Sequence, residues 1–204
     1  MWTDKEELDI SAARRAHSEY TGRDVGKDKF NTIIQGSALS PTPDGRLLLS
    51  DIKRLAQLPN YTRVPAQEIR GQYVHIVVSI TSEELDGTLE LSEANGRKEA
   101  LHMLTDKSRA DLESGNLDIT GWWRISPERV RSLIEQGALI LGVAGGYVVA
   151  AGRIKSEVGR IHYQNRVALL IEPLQGEELD SVRGYVEGTN QAVLYVKPLE
   201  NSAS

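Results

Sequence analysis

Pro43-Asp44 followed by Asp51-Ile52-Lys53 supplies the residue types of a magnesium-assisted phosphodiester cleavage site. In that chemistry two carboxylates hold the metal and the lysine steadies the attacking water. The second carboxylate and the lysine must then share one face of a strand at i and i+2. Here Ser50-Asp51 reads instead as the capped start of a helix, and Pro41-Thr42-Pro43-Asp44-Gly45 as a turn, so the expected backbone is wrong for the site.

Other chemistries are weaker still. Gly22-Arg23-Asp24-Val25-Gly26-Lys27 approaches a phosphate loop but has three residues between its glycines where four are needed. The lysine is followed by Asp28, where a Ser or Thr should hold magnesium. The reading is therefore a solvated turn. His17, His75, His102 and His162 are scattered and form no HxH or HExxH pair, so metal-ligand spacing is absent. No GxSxG elbow is present to activate a serine. The strand, tight turn and strand of 139–154 resemble the opening of an acetyl-coenzyme A fold, yet no glycine-rich pyrophosphate loop follows. No cofactor is expected.

A larger constellation surrounds Trp122, Trp123 and Arg124, with Arg153, Lys155, Arg160, His162, Tyr163, Asn165 and Arg166 beyond the hairpin. Consecutive residues of an extended segment face opposite ways, so one indole can fill the core while the other meets solvent or ligand. An exposed indole beside cations can stack on a base while arginines contact phosphate. The plainer reading makes both rings packing residues and the basic groups a solvated loop.

These residues need elements to hold them. Ser126 caps a helix that Pro127 and Glu128 open, Val130, Leu133 and Ile134 form its apolar face, and Gly137 closes it. Residues 138–143 read as a buried strand, Ala144-Gly145-Gly146 as a turn, and 147–154 as the returning strand. Further strands are expected at 72–80, 165–173 and 191–198. Helices are expected within 4–19, stopped by Gly22, from Ser50 to Leu58, and over 177–186. Between Thr81 and Thr120 the chain is polar, and Leu101, Met103 and Leu104 hint at one short helix.

Composition narrows the classes. The 204 residues carry a formal charge of −5, and neither half is basic, so any nucleic-acid face must be local. There is no cysteine, which excludes disulfides and thiolate metal sites and fits a reducing cytoplasm. No apolar run approaches the roughly 20 residues of a membrane span, and the N-terminus is acidic, so a cytoplasmic protein without membrane contact is expected.

The GWW segment, the helix, LILGVAGGYVVAAGRI, RVALLIEP and GTNQAVLYV, in that order over Ile119–Leu199, resemble the PUA-like and EVE-like modules that bind modified or flipped bases. The resemblance implies a partly closed barrel with an aromatic-walled pocket near Trp122, Trp123 and Tyr163. The expectation is an α/β (α+β) protein: an N-terminal α/β region over 1–112, then a mixed, partly closed β-barrel-like module with flanking helices over 113–204. The expected function is noncatalytic nucleic-acid recognition in a defence or restriction setting, with Trp122, Trp123, Arg124, Arg153, Arg166 and Tyr163 as ligand contacts. The alternatives are a protein-interaction or assembly subunit, including a homodimer, and a magnesium nuclease of PD-(D/E)xK type using Asp44, Asp51 and Lys53.

Overall fold

The computed structural model describes residues 6–65, 67–69, 72–79, 104–120, 122–161, 166–188 and 193–199. Tyr163, His162, Asn165, His102 and the Leu101 and Met103 positions of the suggested short helix lie outside them. The chain is a mixed α+β fold: a six-stranded mixed sheet with flanking helices.

The first elements are β1 (Glu7–Leu8), α1 (Ile10–Thr21), α2 (Lys27–Gln35), β2 (Leu47–Leu48) and α3 (Leu49–Gln57). Asp9 caps α1 by accepting from the Ala12 amide, and Gly22 closes it at φ 67°. The start of α3 differs from expectation. The helix begins at Leu49 and Leu48 occupies the cap position without a side-chain bond, because Leu48 is still paired with Glu7 in a small antiparallel ladder. The three helices share one core, centred on Phe30, Ile33, Leu49 and Ile52, which also takes in Tyr147 and Tyr185.

There follow β3 (His75–Ser79), α4 (Asp106–Glu113), β4 (Asp118–Ile119), α5 (Pro127–Glu135), β5 (Leu139–Ala144), β6 (Tyr147–Ile161), β7 (Arg166–Pro173), α6 (Gly176–Ser181) and β8 (Leu194–Val196). The sheet order is β4-β7-β6-β5-β3-β8. Thus β3, from the first half of the chain, lies between β5, to which it is parallel, and β8, to which it is antiparallel. Among the described residues no ladder joins β4 to β8, so the sheet is open rather than closed into a barrel.

Both faces of the central strands are covered, which explains why they read as continuous apolar runs. Ile76, Val78 and Ile140 pack with Val130 and Leu133 of α5 on one face. Val77, Leu139, Leu141 and Val143 pack with Val186, Leu194 and Val196 on the other. The β5–β6 turn uses Gly145 at φ 59° and Gly146 at φ 97°, the left-handed pair a two-residue hairpin favours. Helix α5 matches its sequence signals, with Ser126 Oγ accepting from the Arg129 amide at 3.3 Å and Gly137 at φ 63°. No helix among the described residues is long and apolar enough to cross a membrane.

Candidate functional site

The double tryptophan sits beside the far end of the β6–β7 ribbon. Trp123 exchanges both backbone hydrogen bonds with Val167, each 2.8 Å, in an antiparallel bridge. Trp122 shares a cluster with Ala168, and the bridge ends there: the Ile125 amide donates to the Trp123 carbonyl at 3.1 Å, so the chain turns at Arg124, while Arg166 precedes Val167 on β7. The two indoles take opposite faces. Trp122 is 6% exposed and packs with Ile119, Ala168, Leu104, Leu112 and Val158. At that exposure it is a core residue, and a base has no access to its ring. Trp123 is half-buried against the cluster beneath α5, and its Nε1–H is sealed without an acceptor.

Arg124 is exposed and Arg166 half-buried, and neither has an ion pair among the described residues. The Arg166 Nε is a sealed donor without a partner. Arg153 is elsewhere. It pairs with Leu139 and Glu172 in the middle of β6, at the other end of the β6–β7 ladder, with Glu172 six residues along β7 from Arg166. At about 3.3 Å per residue the two arginines stand roughly 20 Å apart along the ribbon.

Around Arg153 the charges are balanced. Its guanidinium lies 3.9 Å from Glu172 and 3.8 Å from Glu178, while Lys155 bonds Glu172 at 3.0 Å. The Lys155 hydrogen bond and charge, with Arg153 adding, hold the exposed Glu172 carboxyl below its usual range. Beside this cluster opens a cavity of about 260 Å³, bordered by Tyr73, His75, Leu139 and Glu178 among others. Sequence reasoning placed His75 in a core strand and passed over Tyr73. The available signal was a lone imidazole in the β-branched run of 74–80, a polar group that burial obliges to find a partner.

The other acidic motif is not gathered on a sheet. Asp44 is an exposed turn residue, and Asp51 and Lys53 lie on α3, where two residues are separated by about 200° of rotation. The Asp51 carboxylate meets Arg54 at 3.3 Å, and Lys53 Nζ lies 5.5 Å from the centre of the Tyr20 ring. No group of three or more His, Asp or Glu side chains among the described residues could hold a metal ion.

A third polar cluster joins the helical layer to the hairpin. His17 and Tyr147 are both fully buried, with Nε2 and the hydroxyl 2.8 Å apart. Burial, aided by the charges of Arg23 and Lys29, lowers the His17 pKa to about 4, and burial raises that of Tyr147 to about 12. Arg23, from the segment that resembled a phosphate loop, lays its guanidinium 3.9 Å over the Tyr185 ring and donates to Asn60. These partners make the segment a connection between layers. Comparison with known proteins finds no matching family model, no matching curated protein and no matching solved structure.

Proposed function

We propose that the chain is a noncatalytic recognition module for nucleic acid, and that the strand end carrying Trp123, Arg124 and Arg166 meets the ligand. The observation that carries the reading is that Arg124 and Arg166 each adjoin the Trp123–Val167 bridge in sequence and that neither has an ion pair among the described residues. A phosphate reached by both guanidinium groups accepts two charge-assisted contacts. The uncovered part of Trp123 gives a neighbouring base a surface to stack on. Tyr163, in the segment joining β6 to β7, belongs to the same reading, and Arg153 is left to its carboxylates.

The finer form of the proposal takes a modified or flipped base as target and a partly closed barrel as frame. It rests on the resemblance of residues 119–199 to PUA-like and EVE-like modules. The two register shifts in β6, between Ile154 and Ser156 and between Glu157 and Gly159, support it, because bulges bend a sheet.

Fluorescence anisotropy with labelled single-stranded DNA, single-stranded RNA and duplex DNA tests the proposal. The expected result is binding to at least one of them, weakened about tenfold or more in the Arg124→Gln/Arg166→Gln variant. Absence of binding to all three, or equal affinity in the variant, overturns it.

A further inference from the structure

The cavity beside Arg153 has the features of a small-molecule site, and its polar groups specify what fits. Its wall includes Tyr73, 45% exposed, whose ring meets His75 edge-to-face at 5.3 Å between centroids. An aromatic left this open beside a concavity offers a flat ligand a stacking surface.

The His75 imidazole is oriented by the backbone. The Leu139 amide donates to Nδ1 at 3.3 Å. An amide can only donate, so Nδ1 is the unprotonated nitrogen and the proton sits on Nε2. The Nε2–H has no hydrogen-bond partner among the described residues, and the His75 side chain borders the cavity. Burial lowers the His75 pKa to about 4, which keeps the ring a neutral donor at physiological pH.

Glu178 also borders the cavity, with its side chain 69% exposed and its carboxylate 3.8 Å from Arg153, too far for a good hydrogen bond. Its oxygens therefore remain free to accept. Arg153 and Glu178 cancel in charge, so neither an anion nor a cation gains a net electrostatic advantage there. The site thus presents the imidazole and guanidinium donors of His75 and Arg153, one carboxylate acceptor, an aromatic face and the apolar side chains of Leu139 and Leu174.

We propose that this cavity binds an uncharged planar ring bearing a carboxamide or lactam edge, with the ring on Tyr73, the carbonyl accepting from His75 Nε2–H and the N–H donating to Glu178. The site is independent of the proposed phosphate-contacting strand end, which lies at the other end of the β6–β7 ladder, so either can fail alone.

Three probes of equal ring size separate the ligand chemistries: benzamide, benzoate and benzylamine, followed by saturation-transfer NMR and by the ¹⁵N shift of the His75 ring in the full-length protein. Benzamide is expected to bind with a dissociation constant on the order of 1 mM, as befits so small a ligand. It should move the Nε2 resonance, and the two charged probes should bind at least about fivefold more weakly. Tyr73→Ala, at an exposed position that leaves the core intact, should weaken benzamide about fivefold. Glu178→Ala should bring benzamide and benzoate closer together in affinity. Equal binding of the three probes, no benzamide binding at about 20 mM, or unchanged affinity in Tyr73→Ala overturns the assignment.

Discussion

His17 Nε2 and the Tyr147 hydroxyl lie 2.8 Å apart across 130 positions of sequence, both in full burial. The contact ties α1 to the first residue of β6 and so fastens the helical layer to the sheet. In a low-dielectric interior the imidazole depends on this hydroxyl for its one hydrogen bond. Tyr147→Phe keeps the ring contacts with His17 and Tyr185 but leaves an imidazole nitrogen unpaired. A loss of about 1–3 kcal/mol in urea unfolding is expected. An unchanged midpoint would show that the hydroxyl contributes nothing.

Acid should weaken the fold through two histidines. Both His17 and His75 have pKa values near 4 in the folded chain, against 6.5 when exposed. Between those values the unfolded chain takes up protons that the folded chain refuses. Stability is therefore full above about pH 6.5 and declines as pH falls toward 4, by on the order of 3 kcal/mol per histidine. Unfolding at a series of pH values reads this directly, and His17→Gln should remove about half of the slope. A flat profile from pH 7 to about 4 would contradict the burial of these rings.

The hairpin turn is fitted against α2 and not merely turned. A Cβ on Gly145 would reach 3.0 Å from the Lys29 carbonyl oxygen and collide with Ile33, at a φ of 59° that L-residues already resist. Gly137 has a similar φ of 63° with open space around it. Gly137→Ala is expected to cost about 1 kcal/mol and Gly145→Ala roughly 2–4 kcal/mol. Equal thermal shifts for the two would mean that α2 yields freely at the turn.

Local signals carried well from sequence to structure where the physics is local. Ser126, Pro127 and Gly137 define α5 through capping and backbone preference alone, and the paired glycines define the β5–β6 turn. The opposite facing of Trp122 and Trp123 follows from strand geometry in the same way. What stayed hidden is long-range. Nothing near His75–Ser79 announces that this strand lies between β5 and β8, because pairing partners are chosen by the whole sheet. Helix α4 escaped notice since it buries no full stripe, with only Leu112 reaching the Trp122 cluster. Strand β6 continues to Ile161 through polar residues that β7 holds in register. The candidate site was half legible. Arg124 and Arg166 each adjoin the Trp123–Val167 bridge in sequence, whereas Arg153, grouped with them by sequence proximity to the hairpin, stands at the ribbon's other end.

The central claim is that Arg124 and Arg166 hold a phosphate. Measuring nucleic-acid affinity from about 50 to 200 mM salt for the native chain and for Arg124→Gln/Arg166→Gln tests it most directly, since each phosphate contact releases counterions. The account expects the slope of log affinity against log salt to be shallower by roughly 1–2 in the variant. Parallel lines, with the same slope in both proteins, would contradict it.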